Sequence, residues 1–171
     1  MKAQAELAAS RRDAEAAASE NRGRSENLSG VWKFDTARYD RGAADRQLAK
    51  AGCPWAFRKI FVNANKNLRD AYVTQDRDTL TVKYKLPFFG TTAQTHLLDG
   101  ETHDMLNAWR QPRFSRAWVE GGVVHSEITD PKRPGYRTTQ TVACDGDELR
   151  WTIASEDGAG RAGVTHFLLR A

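Results

Sequence analysis

Strict alternation of apolar and polar residues is the feature that most limits the fold of this chain. The segment "TLTVKYKL" at 79–86 alternates without exception, and "LRWTI" at 149–153 repeats the pattern. A period of two is typical of a β-strand with one buried face. Turn signals recur at a spacing of roughly 8–12 residues, which is typical of an antiparallel meander in a sandwich or a barrel. These turn signals are "DRD" at 76–78, "LDGE" at 98–101, "EGGV" at 120–123, "DPKRPG" at 130–135, "CDGDE" at 144–148 and "EDGAG" at 156–160.

A predicted pair of short helices interrupts this β pattern. The segment "LAKAGCPWAFRKI" at 48–60 contains Gly52, a good C-terminal stop for one helix, and Pro54, which suits the first turn of the next. We predict that Trp55, Ile60 and Phe61 supply the apolar contacts of the second helix. A strand is predicted before the pair, at "VWKF" in 31–34.

Residues 1–27 differ from the rest of the chain in composition. They are rich in alanine, carry five basic and five acidic side chains, and contain Leu7 as the only large aliphatic residue after Met1. Alanine, glutamate and arginine favour helix, but the segment lacks an apolar stripe with which to pack. We predict a solvated helical or disordered arm outside a main domain at 28–171. Docking of this arm onto a partner protein remains open.

Length and composition limit the class of protein. A chain of 171 residues is long enough to bury a core in one domain plus an extension. No apolar run approaches the roughly 20 residues of a transmembrane helix, and we expect no secretory leader. Cys53 and Cys144 make neither a zinc motif nor a disulfide framework, so we expect a reducing cytoplasmic location. The net charge of +4 is modest, and most of the basic side chains are expected to be solvated.

Several short stretches, taken in order, resemble the intracellular lipid-binding proteins, the family of the fatty-acid-binding and cellular retinoid-binding proteins. They are "GVWK" at 30–33, "LAKAGCPWAFRKI" at 48–60, "FFGTT" at 88–92, "EGGVV" at 120–124, "DGDEL" at 145–149 and the final "THFLLRA" at 165–171. The resemblance implies a ten-stranded antiparallel up-and-down β-barrel of the calycin type, capped by the helix-turn-helix as a lid. It also implies transport of a hydrophobic small molecule, such as a fatty acid, a retinoid, an isoprenoid or another lipid, with no cofactor.

The resemblance and the strand alternation together give candidate ligand-binding residues. They are Tyr84, Leu86, Gln140, Val142, Trp151, His166 and Leu168 in the barrel, with Phe88 and Phe89 at the portal. In the family, an Arg-x-Tyr pair on the last strand and an Arg or Gln two strands earlier bind the ligand carboxylate. Here His166, Leu168 and Val142 fall at those positions, so the clamp is not reproduced. This favours a neutral ligand, a ligand bound head-outward, or a barrel filled by side chains.

The lid carries a group of basic residues, Arg46, Lys50, Arg58 and Lys59. In the family, cap residues of this kind contact anionic membranes during ligand transfer, and the surface potential favours each cation by about 1 kcal/mol. A solvated face is the alternative. Nucleic-acid binding is not expected, because no recognition motif or aromatic-basic platform is present.

Catalytic and metal-binding motifs were not found, so we expect a non-enzymatic protein without a metal. His96, His103 and His125 lack metal-ligand spacing and are predicted to be surface or strand-face histidines. Three roles remain open for His166: binding a ligand head group, titrating as a pH sensor, or packing in the core. The alternative to a carrier is a structural or interaction subunit without ligand, docked through the N-terminal arm.

Overall fold

The protein consists of three helices and ten strands within the residues that the structure describes. This computed structural model describes residues 2–20, 28–86, 90–106 and 111–171. The helices are α1 (Lys2–Glu20), α2 (Arg41–Lys50) and α3 (Trp55–Asn65), with a 3-10 turn at Thr36–Arg38. The strands are β1 (Gly30–Phe34), β2 (Asp70–Gln75), β3 (Thr79–Leu86), β4 (Gly90–Leu97), β5 (Thr102–Leu106), β6 (Pro112–Glu120), β7 (Val123–Thr129), β8 (Tyr136–Asp145), β9 (Glu148–Asp157) and β10 (Arg161–Arg170).

The strands form one curled antiparallel sheet in which sequence neighbours pair. The order is β4-β3-β2-β1-β10-β9-β8-β7-β6-β5, so the first and last strands lie side by side and close the structure. At the remaining gap, the Gly100 amide between β4 and β5 donates to the Ala117 carbonyl of β6 over 2.9 Å. The predicted ten-stranded up-and-down barrel with a helical cap is confirmed.

Alternate side chains of each strand fill the barrel. Trp32, Leu80 and Leu168 belong to one buried cluster and are almost completely buried. The Trp32 indole N–H, which needs a partner when it is buried, donates to the Leu28 carbonyl over 2.9 Å. On its other side the Trp32 ring lies 4.3 Å from the Arg170 guanidinium carbon. The base of the barrel is therefore well packed around this tryptophan.

The turn between α2 and α3 is a Schellman motif. Gly52 adopts a φ of 78°, and the amides of Gly52 and Cys53 donate to the carbonyls of Ala49 and Leu48. The Arg133 guanidinium, from the β7–β8 turn, occupies the space that a Cβ at Gly52 would need. Glycine is favoured here by the left-handed backbone, and a side chain at this position would also displace the Arg133 guanidinium.

Helix α2 is attached to the ends of β9 and β10. Ala44 packs with Val164 in a small apolar cluster, and the Gln47 amide donates to the Ser155 hydroxyl over 2.9 Å in a buried contact. The Lys50 ammonium pairs with the Asp157 carboxylate over 2.9 Å. These contacts hold the lid over one side of the barrel end.

The prediction for the apolar contacts of α3 was wrong for two residues. Trp55 and Ile60 are 66% and 42% exposed, whereas the buried residues of α3 are Val62 and Ala64. Phe61 is half-buried and packs beside Ala64 and Leu68, as predicted. The large side chains of the first turn of α3, Trp55 and Phe57, are exposed to solvent.

The N-terminal segment forms a helix, one of the two alternatives, but this helix is not solvated on all sides. Ala14 is completely buried, and it packs with Val31 of β1 and Tyr72 of β2 on the outer surface of the barrel. Leu7 lies against the same cluster, and Ser10 is buried as well. We expected this segment to have no face that packs on another element, which was wrong. Small residues, Ser10 and Ala14, form such a face. The division at residue 27 into an arm and a domain stays a prediction.

The docking of α1 predicts a local effect of charge at Ala14. Ala14→Glu would place a carboxylate against Val31 and Tyr72, so undocking should be favoured at least about tenfold. We expect faster tryptic cleavage after Arg11 and Arg12 with little change in the melting temperature of the barrel. Ala16→Glu, at an exposed position of the same helix, is the control. Equal cleavage rates for the two variants would contradict the docked helix.

Candidate ligand-binding site

The interior of the barrel brings together most of the predicted ligand-binding residues. Tyr84, Val142, Trp151 and Leu168 pack in the central cluster, and the other two described members, Gln140 and His166, are buried beside it. His166 lies within ring-contact distance of Trp151, and Gln140 accepts a hydrogen bond from the Trp151 indole N–H. Leu86 is the last residue of β3, opposite Gly90, and Phe88 and Phe89 lie outside the described residues. The ligand-binding role of all of these residues stays a prediction.

His166 is enclosed by aromatic rings. The Tyr39 ring stacks on the imidazole at 5.5 Å, while Phe34 and Trp151 lie at 6.0 Å. Burial lowers the pKa of His166 to about 4, because these rings cannot solvate an imidazolium ion. A gap of about 10 Å³ remains beside the ring, about the space for one water molecule. His166 is therefore neutral near pH 7, and a pH-sensing role in that range is not supported.

Gln140 and Trp151 form a polar contact in the middle of the apolar cluster. The Trp151 indole N–H donates to the Gln140 Oε1 over 2.9 Å, in a fully buried bond. The Tyr84 ring meets the Trp151 ring edge-on at 6.0 Å, and burial raises the pKa of Tyr84 to about 12. Since the Oε1 of Gln140 accepts from Trp151, the amide NH₂ group of Gln140 remains a donor.

A buried ion pair was missed by the sequence analysis. The Arg113 guanidinium of β6 lies 3.2 Å from the Asp130 carboxylate at the end of β7, and both side chains are buried. Asp130 begins the turn signal "DPKRPG", and its burial was not predicted. The sequence signal for this pair was the alternation along β6, which places Arg113 on the same face of the strand as the buried Ala117. A basic residue on the buried face of a strand predicts a carboxylate partner nearby.

A chain of hydroxyl groups connects this polar region to the lid. The Tyr136 and Thr138 hydroxyls are 2.9 Å apart, and the Thr138 and Ser155 hydroxyls are 2.7 Å apart. Ser155 in turn accepts from Gln47 of α2. The Tyr136 ring lies between the guanidinium groups of Arg113 and Arg133. One wall of the barrel is therefore polar, and it is connected to the fixed helix of the lid.

The other histidines occupy different environments. His96 is buried on β4, which excludes the surface alternative, and burial lowers its pKa. His103 is part of an ion pair of 2.8 Å with Asp99. The His125 ring stacks on Trp118 at 5.4 Å. Among the described residues, no cluster of three or more His, Cys, Asp or Glu side chains has the arrangement of a metal site.

The four basic residues of the lid are not equivalent. Lys50 is paired with Asp157, and the Arg58 Nε lies 3.4 Å from the Asp45 carboxylate without forming a hydrogen bond. Arg46 and Lys59 are exposed to solvent. The exposed apolar side chains of α3 are Trp55, Phe57 and Ile60. The lid thus presents an apolar and cationic surface, which we call the lid tip and define as Arg46, Trp55, Phe57, Lys59 and Ile60.

The two cysteines are free thiols. Burial raises the pKa of both Cys53 and Cys144, so the thiolate that a reactive cysteine requires is disfavoured. None of the described helices combines the length and the apolar character that a membrane-crossing helix needs.

Solved structures with the same architecture include fatty-acid-binding proteins and human cRBP IV. Fatty-acid-binding protein 1 of Echinococcus granulosus aligns with a TM-score of 0.65 at 18% identity, over 84% of this chain and 97% of its own. The fatty acid binding protein of Schistosoma mansoni, in complex with arachidonic acid, has a TM-score of 0.64 at 21% identity, over 86% and 97%. Human cRBP IV has a TM-score of 0.64 at 19% identity, over 85% and 98%.

The chain has the fold of the fatty-acid-binding proteins. These alignments extend over nearly the whole of each neighbour, so the barrel and its lid are shared in full. No family model and no curated protein sequence matches the chain. The fold predicted from the resemblance is therefore confirmed by structure at identities where sequence comparison alone finds nothing.

Neutral His166 predicts a pH dependence of stability. An unfolded histidine titrates near 6.5 and the folded His166 near 4, so the unfolded state binds more protons between these values. The free energy of unfolding should fall by up to about 3 kcal/mol as the pH drops from 6.5 to 4. His166→Phe should flatten this slope in urea titrations at several pH values. Identical slopes in the variant and the original protein would contradict a buried neutral imidazole.

The Arg113–Asp130 pair predicts a large effect of removing one partner. Asp130→Ala leaves a buried uncompensated guanidinium, so the free energy of unfolding should fall by about 3–5 kcal/mol. The double variant Arg113→Met with Asp130→Ala should recover most of this loss. Glu156→Ala, which breaks a 2.7 Å pair with the exposed Arg137, should cost less than about 1 kcal/mol. Equal losses for the buried and exposed pairs would contradict the assignment.

Proposed function

We propose that this protein binds a hydrophobic small molecule inside the barrel and carries it through the cytoplasm, as a member of the intracellular lipid-binding family. The observation that carries the proposal is the closed barrel with an apolar interior beneath a two-helix lid. Each CH₂ group moved from water into such an interior contributes roughly 0.8 kcal/mol. A fatty acid, a retinoid or an isoprenoid can therefore bind tightly without covalent chemistry.

Binding without the family's carboxylate clamp is part of the proposal. His166, Leu168 and Val142 occupy the clamp positions that the resemblance assigns. Leu168 and Val142 pack in the apolar cluster, and His166 is a neutral ring among aromatic side chains. None of these three groups can form the bidentate bond that a guanidinium makes with a carboxylate. Anchoring of the ligand must therefore rest on other residues.

A carrier rather than an enzyme is the role that the site supports. Two buried titratable groups of the described interior, Arg113 and His166, are held by an ion-pair partner and by aromatic rings, respectively. The alternative of a subunit that docks through its N-terminal arm receives less support. The buried face of α1, with Ala14 at its centre, is already occupied by the protein's own barrel.

Delivery of the ligand to anionic membranes fits the lid tip. Trp55, Phe57 and Ile60 of α3 are exposed to solvent, as are the cations Arg46 and Lys59 of the lid. Apolar side chains that enter the interface and cations that meet anionic headgroups act together in such contacts. Lys50 and Arg58, which were also predicted to contact the membrane, have acidic partners and contribute less.

Ligand titration tests the carrier proposal directly. Delipidated protein should raise the fluorescence of the apolar dye Nile red, and unlabelled lipids with 12 to 18 carbons or retinol should displace the dye. Mass spectrometry under native conditions should find one lipid per chain in protein purified without delipidation. The absence of binding by the dye and by every lipid tested would overturn the proposal.

Transfer to vesicles tests the role of the lid tip. Trp55→Ala should slow the transfer of a fluorescent lipid to phosphatidylcholine vesicles that contain phosphatidylserine, and Lys59→Glu should weaken the dependence on phosphatidylserine. Leu169→Ala, at an exposed apolar position on β10, is the matched control. Equal transfer rates for Trp55→Ala and Leu169→Ala would contradict membrane contact through the lid tip.

A further inference from the structure

The inner surface of the barrel contains a buried serine hydroxyl that makes no hydrogen bond to the described residues. Ser126 of β7 is 4% exposed, and its Oγ has no hydrogen-bond partner among the described residues. Buried polar atoms are hydrogen-bonded in the large majority of cases, so an unpaired one indicates a missing partner. Ser126 lies on the inward parity of β7 together with Val124, a member of the central cluster. The unpaired hydroxyl therefore faces the interior of the barrel.

A second polar group stands directly beside Ser126. Gln140 of β8 is its cross-strand partner in the antiparallel ladder, so both side chains project from the same face of the sheet. The hydrogen bond that the Trp151 indole N–H donates to Oε1 holds the Gln140 amide in one orientation. The fixed amide offers its NH₂ group as a donor next to a hydroxyl that can donate or accept. This pair is distinct from the clamp positions 142, 166 and 168.

On the four strands around the Ser126–Gln140 pair, β6 to β9, Arg113 is the one cation at a buried-parity position among the described residues. Ala117, the β6 partner of Ser126, is four residues from Arg113, a distance of about 13 Å along a strand. Arg113 is neutralised by Asp130 in any case. His96, the buried histidine of β4, has an unpaired Nδ1, and burial lowers its pKa, so it presents a neutral ring. An ionised carboxylate would lose its hydration here without gaining a cation.

We propose that Ser126 and Gln140 form the head-group site of the barrel, and that the ligand is a long-chain molecule with a neutral oxygen head, such as an alcohol, an aldehyde or a ketone. Its oxygen accepts from the Gln140 amide and exchanges a hydrogen bond with the Ser126 hydroxyl, while its chain occupies the apolar side around Trp151 and Tyr84. This inference rests on the proposed function, since it names the ligand class of the same interior.

Displacement of Nile red by four C12 compounds tests the proposal on the full-length delipidated protein. The compounds are 1-dodecanol, dodecanal, dodecanoate and 1-chlorododecane, which share a chain and differ in the head. We expect 1-dodecanol and dodecanal to bind at least about fivefold more tightly than dodecanoate at neutral pH. Ser126→Ala should weaken 1-dodecanol binding about three- to tenfold, the range for one neutral hydrogen bond. Binding of 1-chlorododecane should change less than twofold.

Thr141→Val is the matched control for this experiment. Thr141 is the next residue after Gln140 and pairs with His125, on the opposite face of the sheet. Loss of the Thr141 hydroxyl should leave the affinities for all four C12 compounds unchanged. Gln140→Met is a second variant that removes the amide donor and should reduce the preference for the alcohol over the chloride.

The outcomes separate the two proposals. Failure of Nile red and all four compounds to bind would overturn the carrier function itself. Binding of dodecanoate as tight as that of 1-dodecanol would leave a lipid carrier but overturn the neutral head-group site. The same conclusion would follow if Ser126→Ala bound 1-dodecanol like the original protein.

Discussion

The pairing of β1 with β10 is the contact on which the rest of the structure depends. Phe34 lies opposite Leu168, and the Asp35 amide donates to the Phe167 carbonyl over 2.8 Å. Strands from opposite ends of the chain thereby become neighbours, and the sheet closes without exposed edges except at the β4–β5 gap. This closure places Phe34 and Tyr39 against His166. It also gives Trp32 the enclosed position at the base.

The lid has a fixed half and an exposed half. Helix α2 is held to the barrel by the buried Gln47–Ser155 bond, the Lys50–Asp157 pair and the packing of Ala44 on Val164. Helix α3 rests on α2 and contacts the barrel interior mainly through its C-terminal end, near Leu68. The first turn of α3 consequently leaves large apolar side chains in solvent. The same division places Trp55, Phe57 and Ile60 on the half of the lid with fewer barrel contacts.

The interior combines an apolar side with a polar wall whose charges cancel. Trp32, Val82 and Leu168 belong to the apolar side. On the polar wall, Arg113 is matched by Asp130, and hydroxyl groups lead from Tyr136 through Thr138 and Ser155 to the lid. Pairing of the two opposite charges lowers the free-energy cost of burying them. On the proposed function, the same feature gives the interior little attraction for a free carboxylate, and we propose that the Ser126 hydroxyl and the Gln140 amide bind a neutral head.

The sequence by itself determined the elements and the faces of the strands. Alternation over 79–86 and 149–153 predicted an antiparallel sandwich or barrel, and the turn at Gly52 predicted a helix pair. The resemblance of the ordered motifs to the lipid-binding family then implied the capped ten-stranded barrel. Local periodicity specifies which side chains share a face, because the two faces of a strand alternate strictly. The inward positions of Tyr84, Val142 and Trp151 followed from this rule once the barrel was assumed.

Only the tertiary structure decided contacts between residues that are distant in sequence. Ala14 and Ser10 give no hydrophobic signal of their own, so the docking of α1 became visible only when Val31 and Tyr72 formed a surface for it. Asp130 has the composition of a solvated turn residue and is buried because Arg113 of another strand reaches it. Trp55 has the composition of a core residue, yet it is exposed to solvent. Burial depends on what the fold places opposite a side chain, and local sequence does not contain that information.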